Sequence, residues 1–425
     1  MNGPASVAAS AAKKFEHAGR ILARERTLCL LPWAQPYVGP DGTVRPCCVW
    51  AGTPVGSARS APLKELWNSP SMKALRRDML DGNSPAGCSV CRETERSGLK
   101  SLRLRRNESL RRHRDRVSLT RADGSLDAPP IPIVEVRFSN ACNLRCRMCS
   151  PAFSSAWAAD ARALGMPAST PLLKAYDDWA AFESQFLEFL ESGVEEILFM
   201  GGEPLIMDEH YRILALLLER RLFRVPLRYV TNFSTLRHKT ADVLDLWPRF
   251  SDVGVTASLD AFGSKGEYLR KGLRWNGVLG NRREMARRCP DVSFGVLATL
   301  SLFNALHLPD LHRELAHQGL IEADHFQINP LLEPLEYRAQ ALPADLKALA
   351  AKKLDLYAAE LARFAPNAAK DFHGAARFLE ARDLSGTLVK FAELTRRLDR
   401  IRGEDFRTTF PELASLIEPA GTKKI

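Results

Sequence analysis

Residues 133–149 read Ile-Val-Glu-Val-Arg-Phe-Ser-Asn-Ala-Cys-Asn-Leu-Arg-Cys-Arg-Met-Cys. The apolar, β-branched run from Ile133 to Phe138 predicts a strand, and it leads directly into Cys142, Cys146 and Cys149. Three thiolates on so short a loop can hold three irons of a cubane [4Fe–4S] cluster. The fourth iron then stays open to chelate a ligand, much as a catalytic zinc site keeps one position free. A zinc knuckle or three buried structural thiols would use the same spacing, so the flanking sequence has to decide.

Working outward, five more strand-like runs follow, at Glu196–Met200, Leu227–Thr231, Val253–Ser258, Ser293–Thr299 and His325–Ile328. Helical patterns lie between them, at Asp178–Ser192, His210–Arg221, Asn276–Arg288 and Pro309–Gln318. Six β/α periods predict an α/β fold of parallel strands and crossover helices, in a barrel or a doubly wound sheet. In both, chemistry gathers at the C-terminal ends of the strands.

Those ends carry polar and small residues. The second strand ends in Met200-Gly201-Gly202-Glu203-Pro204, where two glycines admit a ligand close to the backbone and a carboxylate can accept from an ammonium. The third ends in Thr231-Asn232-Phe233 and the fourth in Ser258-Leu259-Asp260, with Asp260 able to act as an acid–base group. The fifth carries Thr299 and, five residues on, Asn304; on the sixth, Gln327 and Asn329 alternate onto one face. A plain Gly-Gly turn, strand-end capping and structural hydrogen bonding are the simpler readings of these same residues.

Hydrophobic residues make up 45% of the 425-residue chain, a globular composition, and no apolar stretch is long enough to predict a membrane span. Residues 1–26 read as a flexible tail without the apolar core of a signal peptide, which points to a cytoplasmic protein. Pro129-Pro130-Ile131-Pro132 reads as a stiff linker. Residues 336–425 are helical in pattern, with Leu346, Ala350, Leu354, Tyr357, Leu361 and Phe364 on one face and Leu388, Phe391, Leu394, Leu398 and Ile401 on another.

The net charge of +10 is local, since Arg92–Arg121 holds eleven Lys/Arg against four acids. That segment reads either as a solvated connector face or as a docking surface for an acidic peptide or nucleic acid, and its role is not legible. The nine cysteines, an odd number, argue for metal ligation over a disulfide framework. Cys29, Cys47, Cys48, Cys88 and Cys91 form one group and Cys142, Cys146 and Cys149 the other. Cys289 stands apart, an inert thiol or a hydrogen-atom donor.

The three-cysteine loop after a first strand, with Gly-Gly-Glu-Pro, Thr-Asn and Ser-x-Asp at the next three strand ends, resembles the radical S-adenosylmethionine (SAM) superfamily. The resemblance implies a partial (β/α)6 TIM-like barrel over residues 131–335. It also implies a [4Fe–4S] cluster on Cys142, Cys146 and Cys149 whose open iron binds SAM and cleaves it to a 5'-deoxyadenosyl radical that abstracts hydrogen. It assigns SAM contacts to Gly201, Gly202, Glu203, Pro204, Thr231, Asn232, Ser258, Asp260, Thr299, Asn304, Gln327 and Asn329, with Glu203 and Asp260 as catalytic candidates. Met148 and Phe233 depart from the pattern, which usually has an aromatic residue at the first position and often glycine at the second.

Residues 27–100 resemble a SPASM domain in its shorter, twitch form, here placed before the barrel; 101–130 is then a basic connector. Cys29, Cys47, Cys88 and Cys91 would hold an auxiliary iron–sulfur cluster, expected as [4Fe–4S]. Gly42-x4-Cys47 matches the family spacing and favours Cys47 over Cys48. A structural zinc would suit the same four thiolates. The resemblance implies an oxidoreductase or maturase acting on a peptide or small amino-acid-like substrate, served by a reductant such as flavodoxin or ferredoxin, with nucleic acid and membrane not expected as partners. The competing class is a zinc-containing nucleic-acid-binding protein. Substrate, bond formed, cluster type and oligomeric state are not written in the sequence.

Overall fold

The structure is a computed structural model that describes residues 26–127, 131–167 and 172–418. Most of the expected N-terminal tail and the Pro129-Pro130 part of the linker lie outside the described residues. The chain divides into two compact units. One comprises the chain up to Glu93, Ser101–Val134 and Tyr176–Val194; the other comprises Thr94–Lys100, Glu135–Ala175 and Glu195 onward.

The first unit is built around a small antiparallel sheet of Tyr37–Val38, Thr43–Arg45 and Gly56–Ser57. Its core joins Leu28, Leu30, Leu31 and Trp33 to Met72, Leu75 and Met79 of the helix Pro70–Leu80, and to Leu110, Val117 and Leu126. The basic segment from Ser101 onward contributes to this core through Leu102, Leu110 and Val117. Its helix Leu102–Ser109 starts at Ser101, whose hydroxyl accepts from the Leu104 amide, the capping arrangement that satisfies a first-turn donor. The helix Trp179–Glu191 also falls in this unit: the Leu63 amide donates to Gln185 Oε1 at 3.1 Å, and Lys64 pairs with Glu188 at 2.8 Å.

The second unit is organised by a six-stranded sheet. Its strands are β1 (Ile133–Val136), β2 (Glu196–Phe199), β3 (Leu227–Thr231), β4 (Val253–Ser258), β5 (Ser293–Leu300) and β6 (Phe326–Pro330). They neighbour one another in strict chain order, and the pairs from β2 to β6 are parallel, the arrangement that right-handed crossovers produce. Alternation decides what faces inward. On β5, Phe294, Val296, Ala298 and Leu300 are buried on one face, while Thr299 sits on the other. The α/β fold, the partial barrel, the small domain before it and the helices after it all match the sequence reading.

The C-terminal helices cover what the sheet leaves open. β6 is an edge strand, and its Ile328 amide donates to Asp371 Oδ2 at 3.0 Å on the helix Pro366–Glu380, which removes the hazard of an open edge. Phe326 stacks on Phe372 of the same helix at 5.7 Å. Ala350, Leu354, Tyr357 and Leu361 are buried as the helical pattern predicts, but Phe364 is 65% exposed. The helix ends at Leu361, so Phe364 leaves the face that the periodicity assigned to it.

Candidate active site and cysteine ligand sets

At the C-terminal end of β1 the chain turns into the three-cysteine loop. Asn140, fully buried, fastens the turn: its side chain donates to Pro151 O and accepts from the Leu173 amide, both at 2.8 Å. Within the loop, Arg145–Cys146 pairs antiparallel with Arg270–Lys271. Trp157 Nε1 donates to Cys146 O at 2.7 Å, and Ser154 Oγ donates to Leu144 O at 2.7 Å. Cys142, Cys146 and Cys149 all line one cavity of about 290 Å³.

The glycines of the second strand end do more than expected. A Cβ at Gly202 would sit 2.1 Å from Ala141 O, so only glycine lets the cysteine loop cross this strand end. Gly201 has φ +130°, a backbone conformation L side chains rarely adopt. Both glycines line the cavity. Their freedom thus brings two pieces of backbone together as well as leaving room beside the cavity.

Glu203 is completely buried. Its carboxylate accepts from Thr231 Oγ1 at 2.7 Å, from the Asn232 amide at 2.6 Å and from the Leu205 amide at 3.0 Å. Burial pushes its carboxyl up to about 7, against these bonds and the field of Arg270. Asn232 reaches the loop itself, donating to Asn143 Oδ1 at 2.9 Å with Cys142 Sγ at 3.9 Å. Asp260 pairs with Arg270 at 2.8 Å and accepts from the Thr299 amide at 2.8 Å. Asn304, also fully buried, donates to Asp260 O and Thr299 O, each at 2.9 Å.

Of the residues singled out in the sequence, Gly201, Gly202, Thr231, Asn232, Ser258 and Thr299 line the cavity with the three cysteines. Glu203, Pro204, Asp260 and Asn304 are not lining residues and sit among the strand-end groups that brace them. Asn329 pairs in register with Thr299, and Gln327 is exposed. Cys289 caps the helix Trp275–Arg288 with its thiol donating to Leu244 O at 3.4 Å, and it is not a lining residue. Phe233 has φ +55° and a fully buried ring 5.0 Å from Phe294. The position calls for a left-handed residue, which glycine adopts freely; here packing of an aromatic ring compensates the strain.

Sequence reasoning missed Arg137, Met200, Phe153, Leu331 and Arg270 as lining residues. Arg270 is the most consequential. Its Nη1 lies 3.8 Å from Cys146 Sγ. Burial works against its charge, but Asp260 and Cys146 outweigh burial and hold the guanidinium above its ordinary value. No motif marks it; a cation 124 residues from its sulfur partner is found only by folding the chain.

The thiols themselves are disfavoured as bare anions. Burial, then the neighbouring charges of Cys146 and Glu203, push Cys142 up to about 11; burial and Cys146 push Cys149 up to about 12. Burial raises Cys146 too, with Arg270 opposing. Such a trio becomes stable as thiolates only when a cationic centre supplies the countercharge, so these residues fit an iron cluster. Among the described residues no three Cys, His, Asp or Glu side chains converge on a single ion; a cubane does not require that, because each thiolate takes a different iron.

In the first unit, Cys29 is buried beside its own kind. Burial raises its thiol to about 12, and Cys91 and Cys88 add to the shift; Cys47 is raised by burial, then by Cys48, Cys29 and Cys91. Cys29 is thus within electrostatic reach of Cys88 and Cys91, and Cys47 within reach of Cys29 and Cys91, although they span residues 29–91. None of the cysteines is in a disulfide. The basic segment holds this site from behind. Arg103 Nη1 donates to Leu28 O at 3.0 Å, Asn107 brackets Cys29 through Leu28 O and the Leu30 amide, and Arg116 Nε donates to Trp33 O at 3.0 Å.

A family model described as the radical SAM superfamily matches residues 136–309. Residues 136–309 belong to that superfamily. A second model, SPASM, an iron–sulfur cluster-binding domain, matches residues 29–92, so the SPASM match precedes the radical SAM match along the chain. Among solved structures, it is similar to native anSMEcpe with bound AdoMet and Cp18Cys peptide, at 16% identity and a TM-score of 0.38 over 55% of this chain and 61% of that one. It is also similar to Streptococcus suis SuiB bound to precursor peptide SuiA, at 18% identity and a TM-score of 0.35 over 54% of this chain and 45% of that one. The radical SAM chain thus spans less than two thirds of either relative. No curated protein matches it. No helix among its described residues is long and apolar enough to cross a membrane.

Proposed function

We propose that this protein cleaves SAM reductively and uses the resulting radical to abstract hydrogen from a peptide or amino-acid-like substrate. The observation that carries the reading is the shared cavity: three half-buried thiols and the small and polar strand-end residues Gly201, Gly202, Asn232, Ser258 and Thr299 face one space. A [4Fe–4S] cluster with one open iron, when bound to Cys142, Cys146 and Cys149, supplies the electron for that cleavage. The chain's own residues do the rest. Arg270 puts a fixed cation beside Cys146, where it can receive a carboxylate. Gly201 and Gly202 leave backbone accessible to an ammonium, with Glu203 behind them. Ser258 and Thr299 offer hydroxyls to a ribose.

Cys29, Cys47, Cys88 and Cys91 would hold an auxiliary cluster, taken as [4Fe–4S]. Four thiolates leave no open iron, so this site suits electron transfer over substrate ligation and favours a net oxidation such as crosslinking or desaturation in peptide or natural-product modification. A cytoplasmic flavodoxin or ferredoxin would reduce the first site. The zinc-dependent nucleic-acid binder has less support, because Arg103 and Arg116 are engaged with backbone carbonyls of their own unit.

Anaerobic purification followed by reduction with dithionite tests the reading. The expected outcome is a brown, iron-containing protein that converts SAM to 5'-deoxyadenosine and methionine. A colourless zinc protein inert toward SAM would overturn it.

A further inference from the structure

The loop between Cys142 and Cys149 carries two arginines: Arg147 is gripped by the C-terminal part of the chain, and Arg145 is linked to it through Asp160. Arg147, fully buried, forms ion pairs with Asp399 and, at 2.7 Å, with Glu404. Its guanidinium lies over the Tyr268 ring at 3.7 Å, and the Tyr268 hydroxyl donates to the same Asp399 at 2.8 Å. Arg145 pairs with Asp160 at 2.7 Å, and Asp160 is shared with Arg402 at 2.8 Å. Lys271, on the strand paired with the loop, pairs with Glu404 at 3.1 Å. Asp399 and Arg402 lie on the helix Leu388–Arg402, and Gly403, left-handed at φ +63°, ends that helix so that Glu404 turns back toward the loop. Apolar contacts run alongside, with Leu394, Leu398 and Ile401 packed among Trp157, Ala161, Leu164 and Cys149.

Resting on the proposed function, we propose that Arg147 is a positioning residue through which the C-terminal helix sets the geometry and the reduction potential of the cluster held by Cys142, Cys146 and Cys149. Charges beside the loop are weakly screened, because Arg147, Asp160, Asp260, Arg270 and Arg402 are buried. Around the loop stand Arg145, Arg147, Arg270, Lys271 and Arg402 against Asp160, Asp260, Asp399 and Glu404, one more cation than anion. Fixed charges near a buried cluster shift its potential in proportion to their sign. Arg147 adjoins the ligand Cys146, so its charge is placed by covalent connection, and its orientation is placed by Asp399 and Glu404.

The test is a redox titration of the reconstituted full-length protein, following the electron paramagnetic resonance signal that changes on SAM addition and so belongs to the open-iron site. Arg147→Gln removes a cation and is expected to make the potential more negative. Asp399→Asn and Glu404→Gln each remove an anion and are expected to make it more positive. At a fixed reductant potential, a tenfold change in the reduced-to-oxidised ratio corresponds to about 59 mV for a one-electron couple. Arg147→Lys keeps the charge but not the two-acid grip, so it should restore the potential while broadening the signal.

A purely structural role predicts the same loss of iron in all variants, without opposite signs, and that result would overturn the proposal. Glu404→Gln, which leaves Arg147 paired to Asp399, is the variant to rely on if the others fail to fold; an unshifted potential in it would also overturn the proposal. If the wild type shows no SAM-sensitive signal, the functional reading itself fails, and this inference with it.

Discussion

The two cysteine groups are opposites in how they are built. Cys142, Cys146 and Cys149 lie within eight residues, yet beside near neighbours such as Ser154, Trp157 and Asp160 their loop is held from far along the chain, by Asn232, Arg270, Asp399, Arg402 and Glu404. Cys29, Cys47, Cys88 and Cys91 are spread over a whole small domain, yet the supports around Cys29, Arg103, Asn107 and Arg116, belong to the same compact unit. A compact motif therefore does not mean a locally supported site. The three-cysteine loop is braced from several distant parts of the second unit, whereas the other cysteine set rests on the core of its own small unit.

The largest expected effect separates the two groups directly. Cys146→Ala should abolish SAM cleavage and remove the iron of the first site while auxiliary iron remains. Cys88→Ala should remove auxiliary iron and leave uncoupled SAM cleavage measurable. Iron per protein and 5'-deoxyadenosine by chromatography read both, and loss of all iron in either variant would mean that the two sites are not independently built.

Next in size is Phe233, a distant support of the loop through the strand end it shares with Asn232. Phe233→Ala should lower unfolding stability by about 3–5 kcal/mol, the usual range for emptying a buried aromatic site. Phe233→Gly loses the same packing but relieves left-handed strain worth roughly 1–2 kcal/mol, so in urea titration it should be the milder of the two. The reverse order would remove the strain argument.

On the local side, Arg103→Ala removes one of the two donors to the Leu28 carbonyl next to Cys29, leaving Asn107 as the other. It should destabilise the first unit by about 2 kcal/mol, within the range for a hydrogen bond to a charged group. Auxiliary iron should be lost on mild chelation while SAM cleavage persists. Equal loss from both sites would blur the contrast drawn here. Smallest of all, Cys48→Ala should leave auxiliary iron content unchanged, where Cys47→Ala depletes it; the opposite pattern would exchange their roles.

Much of this was legible before folding. The strands Leu227–Thr231 and Val253–Ser258 are found with the bounds that alternation predicts, because strand period and apolar content are local properties. Gly201 and Gly202 were recognisable as a place where something must come close, but their neighbour on one side is the chain's own Ala141 carbonyl, which spacing cannot show. Phe364 was misplaced because periodicity does not say where a helix stops. The basic segment was ambiguous because charge alone does not tell an arginine facing solvent from Arg103, whose partner is a carbonyl 75 residues away.

The order of cysteines, strand ends and apolar periods determined that this chain builds a parallel β/α barrel with a thiol-bearing loop at its mouth and a second thiol set before it. Those features depend on neighbours within a few residues, so they are written in local sequence. Which cations and acids surround the thiols was decided only by the tertiary structure. Arg270, Asp399, Arg402 and Glu404 act through space in a buried, weakly screened environment, and nothing along the chain announces that they will meet the loop.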